Sequence, residues 1–289
     1  MSTLKNIHAP FDPALAAAFE SNIRNALAED VGDGDLTGLL VPEDEMVKAR
    51  VIVREEAILC GAPWFEGVMI ALDPRIAITW HYAEGERMRA DSEVCSIAGP
   101  ARALLTGERS ALNFLQLLSG VASATQRYVD VVAGTRAAIL DTRKTLPGMR
   151  LAQKYAVRVG GGKNQRLALY DGILIKENHI AAAGSIAAVM EAALEAGKGV
   201  SIQIEVETLE QLEEALSAGA ESVLLDNFSL DDMRRAVELN RGRALLEASG
   251  GINMDTVRAI AETGVDRISI GSLTKDLQAT DYSLRVIEY

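Results

Sequence analysis

One segment of the chain concentrates side chains that bind anions. Positions 136 to 176 hold nine Lys or Arg and two Asp, a net charge of +7, whereas the whole chain carries a formal net charge of −12. Arginine forks and lysine ammonium groups pair with carboxylates and phosphates. A run of charge can also be a solvated face with no binding role. The concentration of cations in an acidic chain favours the first interpretation, a site for small anions.

These cations have carboxylate and glycine counterparts farther along the chain. In chain order, the candidates are Arg143, Lys144, Arg166, Lys176, Glu205, Asp226, Ser249-Gly250-Gly251 and Gly271-Ser272. Two carboxylates suit a hydrated Mg²⁺ or sugar hydroxyls. Glycine loops let backbone N–H groups approach a phosphate closely. Together they predict a phosphorylated sugar substrate that is used with a metal ion. The alternative for the two carboxylates is a structural salt bridge with the nearby cations.

The candidates stand at the ends of short apolar runs. The runs are 137–141, 172–176, 200–207, 222–226, 243–248 and 266–271, and helical patterns lie near 183–197, 208–219, 229–240 and 253–264. Apolar strands that alternate with helices indicate a parallel sheet covered on its faces. Barrels and open doubly wound sheets both place their sites at the carboxyl ends of the strands. We favour a barrel because no GxGxxG opens a helix after the first strand.

The N-terminal half follows other patterns. An apolar residue at every fourth position predicts a helix over residues 13–30. Residues 46–99 read as short strands separated by turns, and 101–133 as two helices with a break at Gly120. Arg109 lies within one helical turn of apolar residues in the predicted helices of 101–133. Its position alone favours a side chain that reaches out to water.

Composition excludes several classes of function. A sequence pI near 4.8 and an aromatic content of 4% disfavour nucleic-acid binding. We see no basic region followed by an apolar core at the N-terminus, and no run near the roughly 18–20 apolar residues of a membrane span. Cys60 and Cys95 lack metal-ligand spacing and indicate free thiols. We expect a cytoplasmic protein of one large or two modest domains, with no nucleic-acid or membrane partner.

Seven motifs in the C-terminal half identify a family. DTRKTLPGMR, KYAVRVGGGKNQR, ILIKENH, EVETLEQL, LLDNF, EASGGI and SIGSLTK occur in this order, preceded by GERSALNFLQLLSG. By these motifs, and over nearly its whole length, the chain closely resembles the quinolinate phosphoribosyltransferases, also called carboxylating nicotinate-nucleotide pyrophosphorylases.

The resemblance implies an α/β fold of two domains. An N-terminal α/β sandwich domain would take residues 1–115, joined by the C-terminal tail 277–289. An incomplete, about seven-stranded α/β barrel of the type II phosphoribosyltransferases would take residues 116–276. The resemblance also implies a homodimer in which the N-terminal region of one subunit covers the barrel mouth of its partner.

The resemblance implies an activity and assigns residues to it. The activity is transfer of the phosphoribosyl group from phosphoribosyl pyrophosphate to quinolinate with decarboxylation, which gives nicotinate mononucleotide, pyrophosphate and CO₂ in de novo NAD biosynthesis. The implied clamp on the quinolinate carboxylates is Arg143, Arg166 and Lys176, with Gln165 beside it and Arg109 reaching in from the partner subunit. The implied contacts to phosphoribosyl pyrophosphate are Lys144, Glu205 and Asp226, of which Glu205 and Asp226 also hold Mg²⁺, directly or through water. The further substrate-binding positions are Thr142, Ser249, Gly250, Gly251, Gly271, Ser272 and Lys275. The residues implied in catalysis are Lys144, Lys176, Glu205 and Asp226.

One position departs from the pattern of the family. Many members have His where this chain has Gln165, directly before Arg166. Glutamine donates a hydrogen bond to a carboxylate but carries no charge. We therefore expect a positioning contact at Gln165, because the retained cations supply the electrostatics.

Three alternatives stay open. A related phosphoribosyltransferase of the same fold could act on nicotinate or another anion, as could the paralogue associated with molybdate transport. Lys176, at a strand end, could form a Schiff base in a lyase. A barrel that only binds an anionic metabolite is the alternative without catalysis.

Overall fold

A computed structural model describes residues 3–288 of the chain. The elements of the first part are α1 Pro13–Asp30, β1 Met46–Val53, β2 Ala57–Ile58, α2 Ala62–Leu72, β3 Ala77–Trp80, β4 Arg87–Met88, β5 Ser92–Pro100 and α3 Ala101–Val131. The elements of the second part are β6 Ala138–Leu140, α4 Arg150–Val159, β7 Gly172–Ile175, α5 Glu177–Ala183, α6 Ile186–Ala196, β8 Ser201–Val206, α7 Leu209–Ser217, β9 Ser222–Asp226, α8 Leu230–Asn240, β10 Leu245–Ser249, α9 Val257–Ala261, β11 Arg267–Ser269, α10 Ser272–Lys275 and β12 Tyr282–Glu288.

The chain divides into two compact units. The first takes the chain up to Gln126, Thr145–Gly161, and the chain from Asp276 onwards. The second takes Arg127–Lys144 and Gly162–Lys275. This division differs from the expected one, which gave residues 116–126 and 145–161 to the barrel. The reason is packing: the apolar side chains of α4 and of that part of α3 belong to the core of the first unit.

The first unit is built on an antiparallel sheet of strand order β12-β1-β5-β3. At the middle of β1, Val51 lies opposite Leu284 of β12 and Cys95 of β5. Alternate residues of β1, such as Val47 and Ala49, are buried, as expected for a strand with one face on a core. The last strand of the chain therefore completes the sheet of the N-terminal unit.

Aromatic rings fill the core of this unit. Trp64 is fully buried, and its ring centroid lies 5.3 Å from that of Phe19 and 5.3 Å from that of Tyr155. Edge-to-face and tilted ring pairs at such distances add to the stabilisation from burial. The indole N–H of Trp64 donates to the side-chain oxygen of Asn22 at 3.3 Å, so α1 is joined to this core by a polar contact as well.

The helix α3 is continuous, and the prediction of a break at Gly120 is wrong. Gly120 is a close-packing position, because a Cβ atom there would run into the carbonyl oxygen of Gln278. Glycine costs roughly 1 kcal/mol relative to alanine inside a helix. Glycine is required at this position because the backbone at Gln278 passes close beside the helix.

The helix α2 lies within the region that was read as strands only. Trp64, Phe65, Val68 and Met69 are all buried. A helix that is apolar on nearly every side gives no amphipathic signal, so periodicity did not reveal it. Pro63 in its first turn was the available sign of a helix start.

The second unit contains a parallel sheet of order β6-β11-β10-β9-β8-β7. The predicted parallel α/β sheet is confirmed, with six strands where about seven were expected. The strand that would continue the sheet is reduced to a single parallel bridge between Leu140 and Lys163. The six strands are consistent with an incomplete barrel whose helices α5 to α9 follow the strands in sequence.

Within residues 3–288, no single helix is long and apolar enough to cross a membrane. The bent pair α5 and α6 passes that test only when the two helices are taken together, by length and composition.

Candidate active site

Strand register brings three of the candidate side chains to one face of the parallel sheet. Glu205 of β8 pairs with Leu224 of β9, and Asp226 of β9 pairs with Ser249 of β10. Side chains alternate along a strand, so Glu205, Asp226 and Ser249 share a face. All three stand at or next to the carboxyl ends of adjacent strands, which is where sites form in parallel α/β sheets.

A cation at the next strand end contacts one of these carboxylates. The ammonium group of Lys176, directly after β7, donates to both oxygens of Glu205, at 3.0 and 3.2 Å. The backbone N–H of Lys176 donates to Nδ1 of His179 at 3.0 Å. His179 thus holds the turn between β7 and α5, which is a structural role.

A buried carboxylate fixes the segment that carries Gln165 and Arg166. Asp141 is fully buried and accepts from the side-chain nitrogen of Asn164 at 2.6 Å and from the backbone N–H of Gln165 at 2.9 Å. Asp141 was not among the predicted site residues. The feature of the sequence that could have identified Asp141 is its place, as an acidic residue, at the start of the most cationic motif in the chain.

The charges of two arginines in the cationic segment influence each other. Burial, and then the charge of Arg143, lower the pKa of Arg166. The guanidinium of Arg166 donates to the carbonyl oxygen of Gly172 at 2.9 Å, which orients it. Like charges that are held together in this way favour an anionic ligand between or beside them.

Lys144 is held against the end of the last barrel strand. Its backbone N–H donates to the hydroxyl of Thr142 at 3.1 Å, and its carbonyl oxygen accepts from the hydroxyl of Thr274 at 2.8 Å. A Cβ atom at Gly271 would lie 3.0 Å from Cδ of Lys144. Glycine at 271 therefore leaves room for the lysine side chain.

The loop after β10 depends on backbone conformations that favour glycine. Gly250 and Gly251 have φ values of 103° and 59°. A Cβ atom at Gly250 would also collide with the side chain of Asn227. Asn227 in turn donates to the carboxylate of Asp226 at 2.8 Å. Asn227 was missed as a site residue, although it directly follows a candidate carboxylate.

The remaining candidates lie on helices. Ser272 and Lys275 are the first and last residues of α10, which follows β11 in the second unit. Arg109 is exposed on α3 and belongs to the first unit. It is therefore outside the set of residues that the second unit assembles at its strand ends.

The carboxylates fit one kind of metal site. Across residues 3–288, no cluster of three or more His, Cys, Asp or Glu is arranged to hold a metal ion. Glu205 and Asp226 supply two oxygen-ligand side chains on one face. Such a pair suits Mg²⁺, which keeps several waters and commonly shares its coordination with substrate phosphates.

Two family models match the chain. The model for the N-terminal domain of quinolinate phosphoribosyl transferase matches residues 35–119, and the model for its C-terminal domain matches residues 121–285.

Individual relatives are similar over nearly the whole length. The chain is 42% identical over 259 residues to a probable nicotinate-nucleotide pyrophosphorylase (carboxylating) of Bacillus subtilis, with 89% of this chain and 90% of the relative covered. It is 39% identical over 277 residues to the nicotinate-nucleotide pyrophosphorylase (carboxylating) of Mycobacterium leprae, with 92% and 96% covered. The solved structure of the nicotinate-nucleotide pyrophosphorylase from Francisella tularensis superposes with a TM-score of 0.91 at 44% identity, covering 94% of this chain and 96% of that one. The chain therefore belongs to the quinolinate phosphoribosyltransferase family.

Proposed function

We propose that this chain transfers the phosphoribosyl group of phosphoribosyl pyrophosphate to quinolinate and releases pyrophosphate and CO₂, which forms nicotinate mononucleotide for NAD biosynthesis. The main observation that supports this proposal is that the candidate cations other than Arg109, and the candidate carboxylates, all belong to the second unit. The charge of Arg143 contributes to lowering the pKa of Arg166, Lys176 pairs with Glu205, and Glu205 and Asp226 share one face at the strand ends. A dicarboxylate and a ribose with its metal need these two groups side by side.

Quinolinate would bind through the cationic group. Its two carboxylates pair with the guanidinium forks of Arg143 and Arg166, and the ammonium group of Lys176 adds a third positive charge. Gln165 contributes a neutral hydrogen bond next to Arg166. Since three cations face a dianion, a monocarboxylate such as nicotinate would leave one cation without its partner and bind more weakly.

Phosphoribosyl pyrophosphate would bind at the neighbouring strand ends. Lys144 contacts its phosphates, while the hydroxyls of the ribose meet Glu205 and Asp226. The loops after β10 and β11 offer backbone N–H groups at Ser249-Gly250-Gly251 and Gly271-Ser272, with Lys275 as a further cation. Mg²⁺, when bound by Glu205 and Asp226, supplies neutralisation of the charge on the pyrophosphate.

The reaction then needs orientation and charge placement rather than a covalent enzyme intermediate. The clamp holds the ring nitrogen of quinolinate facing C1 of the ribose. The C1–O bond breaks, pyrophosphate leaves with the electron pair, and the nitrogen forms the new bond to C1. The carboxylate next to the ring nitrogen leaves as CO₂, and the carbon that keeps the electron pair takes up a proton. Lys144 stabilises the departing phosphate charge.

A Schiff-base lyase is less well supported. The Nζ atom of Lys176 donates to both oxygens of Glu205. An ion-paired ammonium group is not the neutral amine that attacks a carbonyl carbon.

The assembly and location belong to the same proposal. We infer a cytoplasmic homodimer in which Arg109 of one subunit completes the quinolinate clamp of its partner. The exposure of Arg109 on α3 makes it available for such a contact. Cys60 and Cys95 are free and buried, which is compatible with a reducing compartment.

Mixing two inactive variants tests the shared site. R109A and R143A subunits, each nearly inactive as homodimers at a quinolinate concentration near the wild-type KM, would form mixed dimers in which one site is intact. We expect activity to return on mixing, to about a quarter of the wild-type value if subunits exchange at random and each site works alone. No recovery, although energy transfer between differently labelled subunits shows exchange, would place Arg109 in the site of its own subunit or outside it.

An end-point assay tests the reaction itself. Purified protein receives quinolinate, phosphoribosyl pyrophosphate and Mg²⁺, and nicotinate mononucleotide and CO₂ are measured, with nicotinate and metal-free samples as controls. Product from quinolinate only, and only with metal, is the expected result. Product from nicotinate instead would establish the related transferase.

A further inference from the structure

Two neighbouring segments of the second unit carry the two arginines of the proposed clamp. Arg143 lies three residues after β6, and Arg166 lies on the segment that pairs with the end of that strand. The backbone N–H of Lys163 donates to the carbonyl oxygen of Ile139 at 2.8 Å, and the backbone N–H of Asp141 donates to the carbonyl oxygen of Lys163 at 3.3 Å. The two backbones are therefore joined two residues before Arg143 and three residues before Arg166.

A buried carboxylate continues this connection towards the arginines. Asp141 is fully buried, and its Oδ2 atom accepts from the side-chain nitrogen of Asn164 at 2.6 Å. Its Oδ1 atom accepts from the backbone N–H of Gln165, the residue directly before Arg166, at 2.9 Å. Hydrogen bonds to an ionised carboxylate are shorter and stronger than those between neutral groups. One side chain therefore connects the two segments close to both arginines.

The separation of the two arginines matters for the choice of substrate. The two carboxylates of quinolinate stand on adjacent carbon atoms of a rigid ring, so they pair with two guanidinium groups at once only when the spacing of these groups matches. A monocarboxylate such as nicotinate can pair with either arginine alone. We propose that Asp141 is a positioning residue that fixes the spacing of Arg143 and Arg166, and thereby the preference of the site for an adjacent dicarboxylate. This inference rests on the proposed function, which places both arginines on quinolinate.

The residues around this connection have further contacts that restrict where a change at Asp141 is felt. The guanidinium of Arg166 donates to the carbonyl oxygen of Gly172 at 2.9 Å, so a shift of its backbone would strain or break that contact. The carbonyl oxygen of Lys144 accepts from the hydroxyl of Thr274 at 2.8 Å, which anchors the proposed phosphate contact separately. A change at Asp141 should therefore affect the binding of quinolinate more than that of phosphoribosyl pyrophosphate.

Substitutions of Asp141 test the spacing with two ligands. D141L keeps a side chain that branches at Cγ and removes both acceptor oxygens. We expect D141L to raise the dissociation constant of quinolinate, measured by calorimetry, at least about tenfold, and to change the inhibition constant of nicotinate against quinolinate less than about twofold. D141N keeps one acceptor oxygen and should lie between the wild type and D141L. N164L removes one of the two donors and should raise the dissociation constant of quinolinate about three- to fivefold, and it serves if D141L does not fold.

The matched control is T274V, a change of similar shape at a residue that is also fully buried. It removes the hydroxyl that donates to the carbonyl oxygen of Lys144, three residues after Asp141 in the same segment. We expect T274V to raise the KM for phosphoribosyl pyrophosphate about three- to tenfold and to leave the dissociation constant of quinolinate within about twofold of the wild-type value. D141L should show the reverse pattern. Melting temperatures of both variants show the loss of stability that accompanies each pattern.

Three results would overturn the inference. D141L could leave the binding of quinolinate unchanged, it could weaken nicotinate as much as quinolinate, or T274V could weaken quinolinate as much as D141L does. The last result would mean that any loosening of residues 141–144 disturbs the clamp. A wild-type protein that makes no product from quinolinate would instead refute the proposed function, so the two failures are distinguishable.

Discussion

The ammonium group of Lys176 bridges the two oxygens of Glu205, at 3.0 and 3.2 Å, across the ends of the neighbouring strands β7 and β8. In the proposed site Lys176 belongs to the quinolinate clamp and Glu205 to the ribose and metal group. The ion pair therefore joins the two substrate sites, and a change at Lys176 should be felt in both.

This coupling predicts the kinetics of K176M. The substitution removes a positive charge from the clamp and leaves Glu205 without its ammonium partner. We expect the KM for quinolinate to rise about ten- to a hundredfold, as for a lost charged hydrogen bond, and the KM for phosphoribosyl pyrophosphate to rise severalfold. R143A is the comparison, because it should affect quinolinate alone. A K176M enzyme with an unchanged KM for phosphoribosyl pyrophosphate would show that the ion pair does not couple the sites.

The metal dependence of D226N tests the role of the second carboxylate. Replacing one carboxylate oxygen by an amide nitrogen removes the negative charge and leaves a single, weaker oxygen ligand for Mg²⁺. We expect the Mg²⁺ concentration for half-maximal activity to rise at least about tenfold, measured at saturating substrates. E210Q, an exposed carboxylate on α7, should leave the metal titration of the wild type unchanged. An identical titration for D226N would remove Asp226 from the metal site.

The parallel sheet was predictable because its signal is local. Short apolar runs separated by helices, each ending in a polar residue, led to the strand ends where Glu205 and Asp226 now share a face. The links between side chains were not predictable in the same way. The contact of Gln203 with Glu247 depends on register across two strand pairings, and no local pattern contains that information.

The same distinction explains the errors in the N-terminal half. We expected a break at Gly120 from the helix propensity of glycine alone. The glycine is instead explained by the carbonyl oxygen of Gln278, which lies 158 positions later in the chain. The sequence pattern did not predict helix α2, because a helix that is buried on most sides lacks the alternation of polar and apolar faces from which an amphipathic helix is recognised.

Two glycines of α3 provide a matched test of that packing. Alanine at either position gains roughly 1 kcal/mol of helix propensity. At Gly120 the added Cβ meets a backbone carbonyl, while at Gly107 it meets the flexible ends of Leu72 and Met69 at 2.8 and 3.0 Å. We expect G120A to lower the free energy of unfolding by about 1–3 kcal/mol, and G107A to lower it by less. Urea unfolding of both variants checks this, and equal losses would contradict the packing argument.

Glu84 should make the stability of the first unit depend on pH. It is 4% exposed, and its carboxylate accepts from the backbone N–H groups of Gly61 and Ala62 and from the hydroxyl of Tyr155. Burial, the dominant cause, raises the pKa of Glu84 to about 7 despite these donors. The folded state therefore holds the proton more tightly than the unfolded state, whose carboxyl titrates near its ordinary value.

The sign of the effect follows from proton binding. Between the unfolded pKa, roughly 4.5, and the folded pKa near 7, the folded state binds more protons, so the free energy of unfolding falls as pH rises, by roughly 3 kcal/mol in total. The contribution is fully present below the lower value and is lost above the higher one. In E84Q the group cannot titrate, so the difference in unfolding free energy between wild type and E84Q should decline over this window and then level off.

Tryptophan fluorescence reports on the correct part of the chain. Both tryptophans, Trp64 and Trp80, belong to the first unit, so urea unfolding followed by fluorescence from pH 4.5 to 8.5 measures its stability. E20Q, an exposed carboxylate on α1, gives the baseline for an uninvolved carboxyl group. A constant difference between wild type and E84Q would mean that Glu84 is ionised throughout. In that case the donors at the start of α2 would outweigh the cost of burying the charge, and the carboxylate would act as a permanent cap of that helix.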